Sequence, residues 1–420
     1  MSGFNDSDYK KLFEIIEKTN KEREDSMNIS EKPIIKENLS YERAVSGQIF
    51  LGAEPTLISG NIYIKNGRIK EIEETKNANT KSENWIVPRF INAHTHIGDT
   101  LLKDPPLGNP ISDYTIQRDL DALIRPPDGL KHRFLQNLRY ETAVSSMEDA
   151  IYELYLNGIS VFADFREGGL DGISALTTAV LNTSRDIRPI IFGRPSYQYP
   201  AASNLIGEIK TAETALDEVR KILEQADGIG LSGANDLDEY LLSKIASKTK
   251  ARGKKVAIHA GEKNRSDIKK ALNLSPDILI HMTHASPQDL KIAADLKTNI
   301  TVCVRSNLST GSGLPPVPEM LEEGICVSVG TDNVMLNSPD MFEEMHLLSK
   351  IYGLSDAAVF KMVTTNGSST LDCQYTGSIE VGKKADLMIL NAKSSNLKNI
   401  QNPLAGFVRR ARADDILGII

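Results

Sequence analysis

The sequence predicts an α/β chain: a (β/α)8 barrel carrying a small β structure built from both of its flanks. Three observations predict it. Between Trp85 and about Leu371, eight short apolar segments alternate with stretches of helical periodicity. Several of those segments end in polar residues, histidines above all, as the strands of a barrel do where they meet its mouth. On either side of this region the pattern turns to short β segments.

Taken in order, residues 1–33 form an N-terminal helical extension. Tyr9, Leu12, Phe13, Ile15 and Ile16 recur with helical spacing, and a charged stretch from Lys18 to Asp25 follows. The extension reads as a helix packed on the body, or as an arm that joins two copies in a homo-oligomer. Residues 34–84 change to short strands, Gln48-Ile-Phe-Leu, Asn61-Ile-Tyr-Ile-Lys and Arg68-Ile-Lys-Glu-Ile, separated by Gly60 and by Asn66-Gly67. Asn-Gly between alternating runs signals a hairpin, because both turn positions need positive φ. The barrel occupies residues 85–372, with strands at residues 86–92, 159–164, 189–192, 228–231, 255–259, 278–281, 300–304 and 325–329. Leu216, Val219, Ile222 and Leu223, then Leu241, Leu242 and Ile245, mark two of the intervening helices. A doubly wound open sheet is the alternative, but no glycine-rich phosphate turn follows the first strand. The long stretch at residues 98–133, rich in Pro, Gly and Asp, reads as a lid. Residues 373–420 return to β character from Thr376 to Leu390 and complete the N-terminal sheet.

Composition excludes several classes of function. The 420 residues are 40% hydrophobic and 25% charged, which describes a globular chain. A net charge of −7 favours neither nucleic acid nor an anionic membrane. No apolar run reaches the roughly 20 residues that span a bilayer. The N-terminus lacks the basic and apolar regions of a signal peptide, so a cytoplasmic location is expected. Three cysteines, Cys303, Cys326 and Cys373, with no Cys-x-x-Cys, make neither a disulfide framework nor a cysteine-zinc site.

The chemistry lies at the strand ends. The first strand runs into Asn92-Ala-His-Thr-His96, where residues two apart face the same side and both imidazoles can aim at one point. The fifth ends in His259-Ala-Gly-Glu262, the sixth in His281, and the eighth in Gly330-Thr-Asp332. A single histidine at a strand end is ordinarily structural, and an aspartate in such a turn is ordinarily a cap. Their joint placement at one barrel mouth is what points to a site. Three histidines and a carboxylate can hold one divalent cation, and such an ion brings the pKa of bound water from 15.7 to roughly 7, giving hydroxide at neutral pH. Zinc suits imidazole and carboxylate best, with Fe2+, Mn2+ and Co2+ also compatible. Glu262 and His281 are then placed for proton transfer and for holding the hydroxide. His284 competes with His281, which is preferred because it directly closes the apolar strand.

These motifs, with Ser306-Asn-Leu and the tail Gly377-Ser-Ile-Glu-Val-Gly-Lys-Lys-Ala-Asp386-Leu, resemble the amidohydrolase superfamily, in its cytosine-deaminase-like and chlorohydrolase/aminohydrolase branch. The resemblance spans residues 48–390. It implies that the flanking β structure is a small β-sandwich made from both chain ends. It implies one metal ion on His94, His96, His259 and Asp332, with catalytic roles for Glu262, His281 and Asp332. Glu262 would protonate a ring nitrogen, His281 would orient the hydroxide, and Asp332 would pass a proton to the leaving group. The segment Gly228-Ile-Gly-Leu-Ser-Gly-Ala lacks the lysine that binuclear relatives carry, which fits a single metal. Where relatives have Cys-Pro, this chain has Cys303-Val304-Arg305, a change in a substrate-facing loop.

The expected function is therefore metal-dependent hydrolysis of a C–N bond. The substrate would be a small aminated heterocycle, purine-, pyrimidine- or triazine-like or a nucleoside derivative, and ammonia would be released. Ring opening of a cyclic amide is the second reading, and a non-catalytic barrel with a role in assembly is the third. Arg166, Arg194, Arg305 and Asn307 are candidate substrate contacts, the arginines for an anionic group.

Overall fold

The sequence divides its β segments between two sheets. In the computed structural model, the described residues are 43–75, 84–105, 120–125, 129–135, 137–195 and 205–420. The N-terminal extension and, within the lid-like stretch, residues 106–119 and 126–128 lie outside them.

The first sheet contains β1 (Arg43–Leu51), β2 (Thr56–Lys65), β3 (Arg68–Glu74) and β4 (Asn84–Pro88). Asn66-Gly67 makes the two-residue turn between β2 and β3, with φ of 53° and 67°, and Lys65 pairs with Arg68 across it. Gly60 does not break the run as its sequence context suggests. It sits inside β2, where a Cβ would lie 2.1 Å from the Glu73 carbonyl oxygen, so glycine permits the close approach of β3.

The second sheet contains β5 (Phe90–His96), β6 (Ile159–Arg166), β7 (Arg188–Gly193), β8 (Gly228–Leu231), β9 (Lys255–Ala260), β10 (Ile278–His281), β11 (Asn299–Val302), β12 (Val327–Val329) and β13 (Asp332–Asn333). All its neighbours pair in parallel, and from β5 to β12 they follow sequence order without the reversal of a doubly wound sheet. β12 pairs with β11, and β13, two residues further on, pairs with β5. The sheet therefore curls into a barrel-like α/β fold. Every residue of β5, β6 and β8 is buried, as expected of parallel strands covered on both faces.

The chain returns to the first sheet with β14 (Leu387–Asn391) and β15 (Ile416–Ile419), giving the order β15-β14-β4-β1-β2-β3. Among the described residues this is one six-stranded sheet, where a β-sandwich was expected. The physical reason is that both faces are already covered. Phe50 on β1 stacks on Phe360 of the helix Asp356–Met362 at 6.1 Å and meets Phe407 of the helix Pro403–Arg410 at a tilt, 5.7 Å away. Ile379 and Ala385 of the tail pack with Ile49, Ile62 and Ile69 on another face. The apolar run from Trp85 also divides unexpectedly. Its first half, β4, pairs with β1 and β14, and only the second half, β5, enters the barrel-like sheet. Arg89, fully buried between them, donates to the carbonyls of Asp186 and Ile159.

Candidate metal centre and active site

Strand geometry delivers five polar side chains to one point. His94 and His96 occupy alternate positions at the end of β5, His259 is the penultimate residue of β9, His281 closes β10 and Asp332 opens β13. Their ligand atoms form two overlapping groups, His94-His96-His259 and His94-His281-Asp332, each within 4.8 Å. His281 and Asp332 have φ of 72° and 61°, a left-handed backbone that is uncommon outside glycine and tends to mark functional positions.

Hydrogen bonds fix the imidazoles. His96 Nδ1 donates toward the Phe165 carbonyl at 3.0 Å and lies 2.9 Å from Glu167 Oε1. His259 Nδ1 donates to the Leu231 carbonyl at 2.7 Å. Burial foremost drives both rings toward the neutral form, His96 down to about 3, with the Lys131 charge adding to the effect, and His259 well below its ordinary value. Each neutral ring thus carries its proton on Nδ1 and a lone pair on Nε2. Yet the two Nε2 atoms face each other at 3.4 Å, and Asp332 Oδ1 lies 3.5 Å from His96 Nε2 and 3.2 Å from His94 Nε2. The two facing Nε2 lone pairs of His96 and His259, with no proton between them, repel unless a cation lies between them. A tetrahedral zinc with ligands about 2.0–2.1 Å away would separate them by about 3.3–3.4 Å. The donor set and its spacing therefore fit a divalent metal ion.

Asp332 is anchored on its other side, where Ser306 Oγ donates to Oδ2 at 2.5 Å. Burial opposes its ionisation, but the hydrogen bond with His94 and the surrounding imidazoles hold its carboxyl well below the usual range. Glu262 behaves in the opposite way. Burial first, then the nearby Asp332 and Asp267 carboxylates, push it well above the usual range, so it keeps its proton. Its Oε2 lies 3.4 Å from His281 Nε2, and its buried Oε1 has no hydrogen-bond partner among the described residues. His281 donates from Nδ1 to Asn307 Oδ1 at 2.9 Å, while Asn307 Nδ2 donates to Thr283 Oγ1 at 2.7 Å. That chain turns the lone pair on His281 Nε2 toward Glu262. Burial holds His281 down at about 4.

A cavity opens over this group. His96, His259, Glu262, His281 and Asp332 line it, with Arg194, Lys131, Arg125 and Asp236 on its walls. Of the sequence's candidate substrate contacts, Arg194 lines the cavity, and Arg166, Arg305 and Asn307 do not. Arg166 is buried against Asp164 and Glu167, at 3.3 and 2.8 Å. Arg305 is held by Glu344 at 2.8 Å and by Glu343, both on the helix Met341–Tyr352. Asn307 serves His281. His284 is exposed and outside the ligand groups. Sequence reasoning missed Lys131, whose Nζ is 2.8 Å from Glu167 Oε1, 2.9 Å from Asn333 Oδ1 and 3.4 Å from Asp99 Oδ2. It also missed the contact between Glu167 and His96. Nothing local marks either, because the partners come from segments far apart in sequence.

Known proteins place this architecture. An uncharacterised protein of Methanocaldococcus jannaschii is 32% identical over 394 residues, covering 89% of this chain and 96% of that protein. A 5-methylthioadenosine/S-adenosylhomocysteine deaminase of Pyrococcus horikoshii is 28% identical over 400 residues, covering 86% of this chain and 87% of its own. The solved structure of a zinc-bound adenosine deaminase from Xanthomonas campestris superposes with a TM-score of 0.70 at 18% identity, covering 90% and 91% of the two chains, a likeness of fold. Residues 85–416 match the amidohydrolase family, and with that match over most of its length the chain belongs to the amidohydrolase family.

Proposed function

We propose that this chain is a hydrolase of carbon–nitrogen bonds that deaminates a small aminated heterocycle, with His94, His96, His259 and Asp332 as the ligands of one zinc ion. The observation that carries the reading is Glu262: a largely buried carboxylic acid that keeps its proton, lining the cavity beside the ligand cluster, with one oxygen that has no hydrogen-bond partner among the described residues. An aromatic amidine resists attack until a ring nitrogen is protonated, and a neutral acid at that place supplies the proton. When bound, zinc would supply a water of lowered pKa as nucleophile. His281, its Nε2 lone pair set by Asn307, would accept a hydrogen bond from the nucleophile and orient it. Asp332, ionised at rest and steadied by Ser306, would take up a proton released as the nucleophile adds and pass it to the departing amine. Arg194 anchors an anionic substituent of the substrate at the cavity wall. The deaminase activity of the P. horikoshii relative supports the class of reaction.

The test is ammonia release by the zinc-loaded protein over aminopurines, adenosine derivatives, aminopyrimidines and aminotriazines. Glu262→Gln should keep its zinc and lose turnover by about 100-fold or more. A Glu262→Gln variant with near-normal rate refutes the mechanism. Hydrolysis of a cyclic amide without ammonia would instead indicate the ring-opening reading.

A further inference from the structure

Lys131 is a lysine buried to 2% exposure on the short helix Leu130–Leu135, outside the strands that carry the site. Its ammonium reaches three acceptors from three parts of the fold. Asp99 follows β5, Glu167 follows β6, and Asn333 is the neighbour of Asp332 on β13. It donates a hydrogen bond to Asn333 Oδ1 and forms ion pairs with the two carboxylates. Burying it costs several kcal/mol of hydration, offset only when such partners are in place. Its nearest partner, Glu167 Oε1, is also the oxygen 2.9 Å from His96 Nδ1. Glu167 Oε2 is taken by Arg166 Nη2 at 2.8 Å, so the carboxylate is clamped from both ends and cannot rotate away from His96.

We infer that Lys131 is a positioning residue for the metal centre: through Glu167, whose carboxylate stands beside Nδ1 of His96 together with the Phe165 carbonyl, it steadies the His96 ring with Nε2 turned toward the metal. Lys131 touches no ligand itself. It ties the segment that lines the cavity to β5, β6 and β13, and so couples the placement of that segment to the geometry of His96 and Asp332. The same helix contributes no other side chain to the cavity lining. Partners of this kind, one bond removed from the metal, typically change its affinity by about 10–100-fold.

This inference rests on the proposed zinc ligands, and the experiment separates the two. Zinc release from the full chain into a colorimetric chelator is measured for the natural protein and for Lys131→Met, Lys131→Arg, Glu167→Gln and the double variant Lys131→Met/Glu167→Gln. The cobalt(II)-loaded forms are compared by their visible absorption bands. Lys131→Met and Glu167→Gln should each speed release by about tenfold or more and shift the cobalt bands. The double variant should be no worse than Glu167→Gln, because Lys131 acts through Glu167. Lys131→Arg should recover part of the loss. A Lys131→Met protein with natural release rate and spectrum, or a double variant whose effects multiply, overturns the inference. If Lys131→Met does not fold, the double variant carries the comparison, since it removes the cation and its nearest anion together. A natural protein that binds no zinc would overturn the proposed ligand set instead.

Discussion

Replacing Gly330 by alanine should empty the metal site while leaving the fold standing. Gly330 lies between β12 and β13, and its N–H donates to the Val302 carbonyl at 3.0 Å. A Cβ there would sit 2.5 Å from His94 Cβ, 2.7 Å from His94 O and 2.9 Å from His94 N. To move His94 Cβ from 2.5 Å to ordinary contact at 3.4 Å, β5 or the Gly330 turn must shift by about 0.9 Å. Overpacking of this kind costs about 1–3 kcal/mol, which a large folded chain can bear. Metal–ligand distances tolerate only about 0.2 Å. The displacement is therefore several times larger than the site can absorb, and His94 is shared by both ligand groups.

The assay is zinc content after gel filtration, with thermal melting alongside. Gly330→Ala should lose most of its zinc and a few degrees of Tm. Gly253→Ala is the control: its φ of 67° strains any side chain, but nothing lies within 4 Å. It should cost about 1 kcal/mol and leave zinc content unchanged. A Gly330→Ala protein with full zinc content and natural turnover would refute the reasoning.

The pH profile of turnover should be limited on its alkaline side by Glu262. The reaction needs its acid form, whose pKa is raised, so the rate is lost as pH climbs through that raised value. On the acid side the neutral form of His281 persists down to about 4, so no limb belonging to it should appear above that. An alkaline limb retained unchanged in residual Glu262→Gln activity would assign it to another group. Arg194→Ala should raise KM by about tenfold or more if Arg194 binds an anionic substituent, the loss of a charge-assisted hydrogen bond of about 1.5–3 kcal/mol. Arg305→Ala should leave KM alone and destabilise the fold by about 3–5 kcal/mol, since it strands buried Glu344. The opposite assignment of the two effects, read from steady-state kinetics and melting, would reverse their roles.

The parts of this molecule legible in sequence are those governed by local rules. The His94-x-His96 spacing, the Asn66-Gly67 turn and the apolar strands all follow from periodicity and backbone preference over a few residues. The border between β4 and β5 was not legible, because both halves of the run are buried and equally apolar. Only pairing partners outside the run, Gln48 opposite Trp85 and Leu387 opposite Pro88, assign the first half to the other sheet. Arg305 and Lys131 mislead in opposite directions for one reason. A charge is read as facing solvent or substrate unless its partner is visible. Glu344 is 39 positions from Arg305, and Asn333 is 202 positions from Lys131. Long-range ion pairing turns one from a candidate contact into a structural strut, and the other from a loop lysine into a support of the site.

The same accounting of buried charge bears on the metal. Carboxylates in this interior ordinarily have a side-chain cation: Asp164 has Arg166, Glu167 has Lys131 and Arg166, and Glu344 has Arg305. Asp99 has Lys131 at 3.4 Å. Beside the ligand cluster, neither Glu262 nor Asp332 has a lysine or arginine at pairing distance among the described residues. An uncompensated buried charge is expensive, so each must find another solution. Glu262 keeps its proton and is neutral. Asp332 stays ionised among imidazoles that burial drives toward neutrality, where a divalent cation would supply the missing positive charge. The two carboxyl groups thus take opposite protonation states from their surroundings, one fit to donate a proton and one fit to bind a cation. On this argument Glu262→Gln leaves the electrostatics of the site intact, whereas Asp332→Asn removes the only anion in the ligand set and with it the principal attraction for the metal.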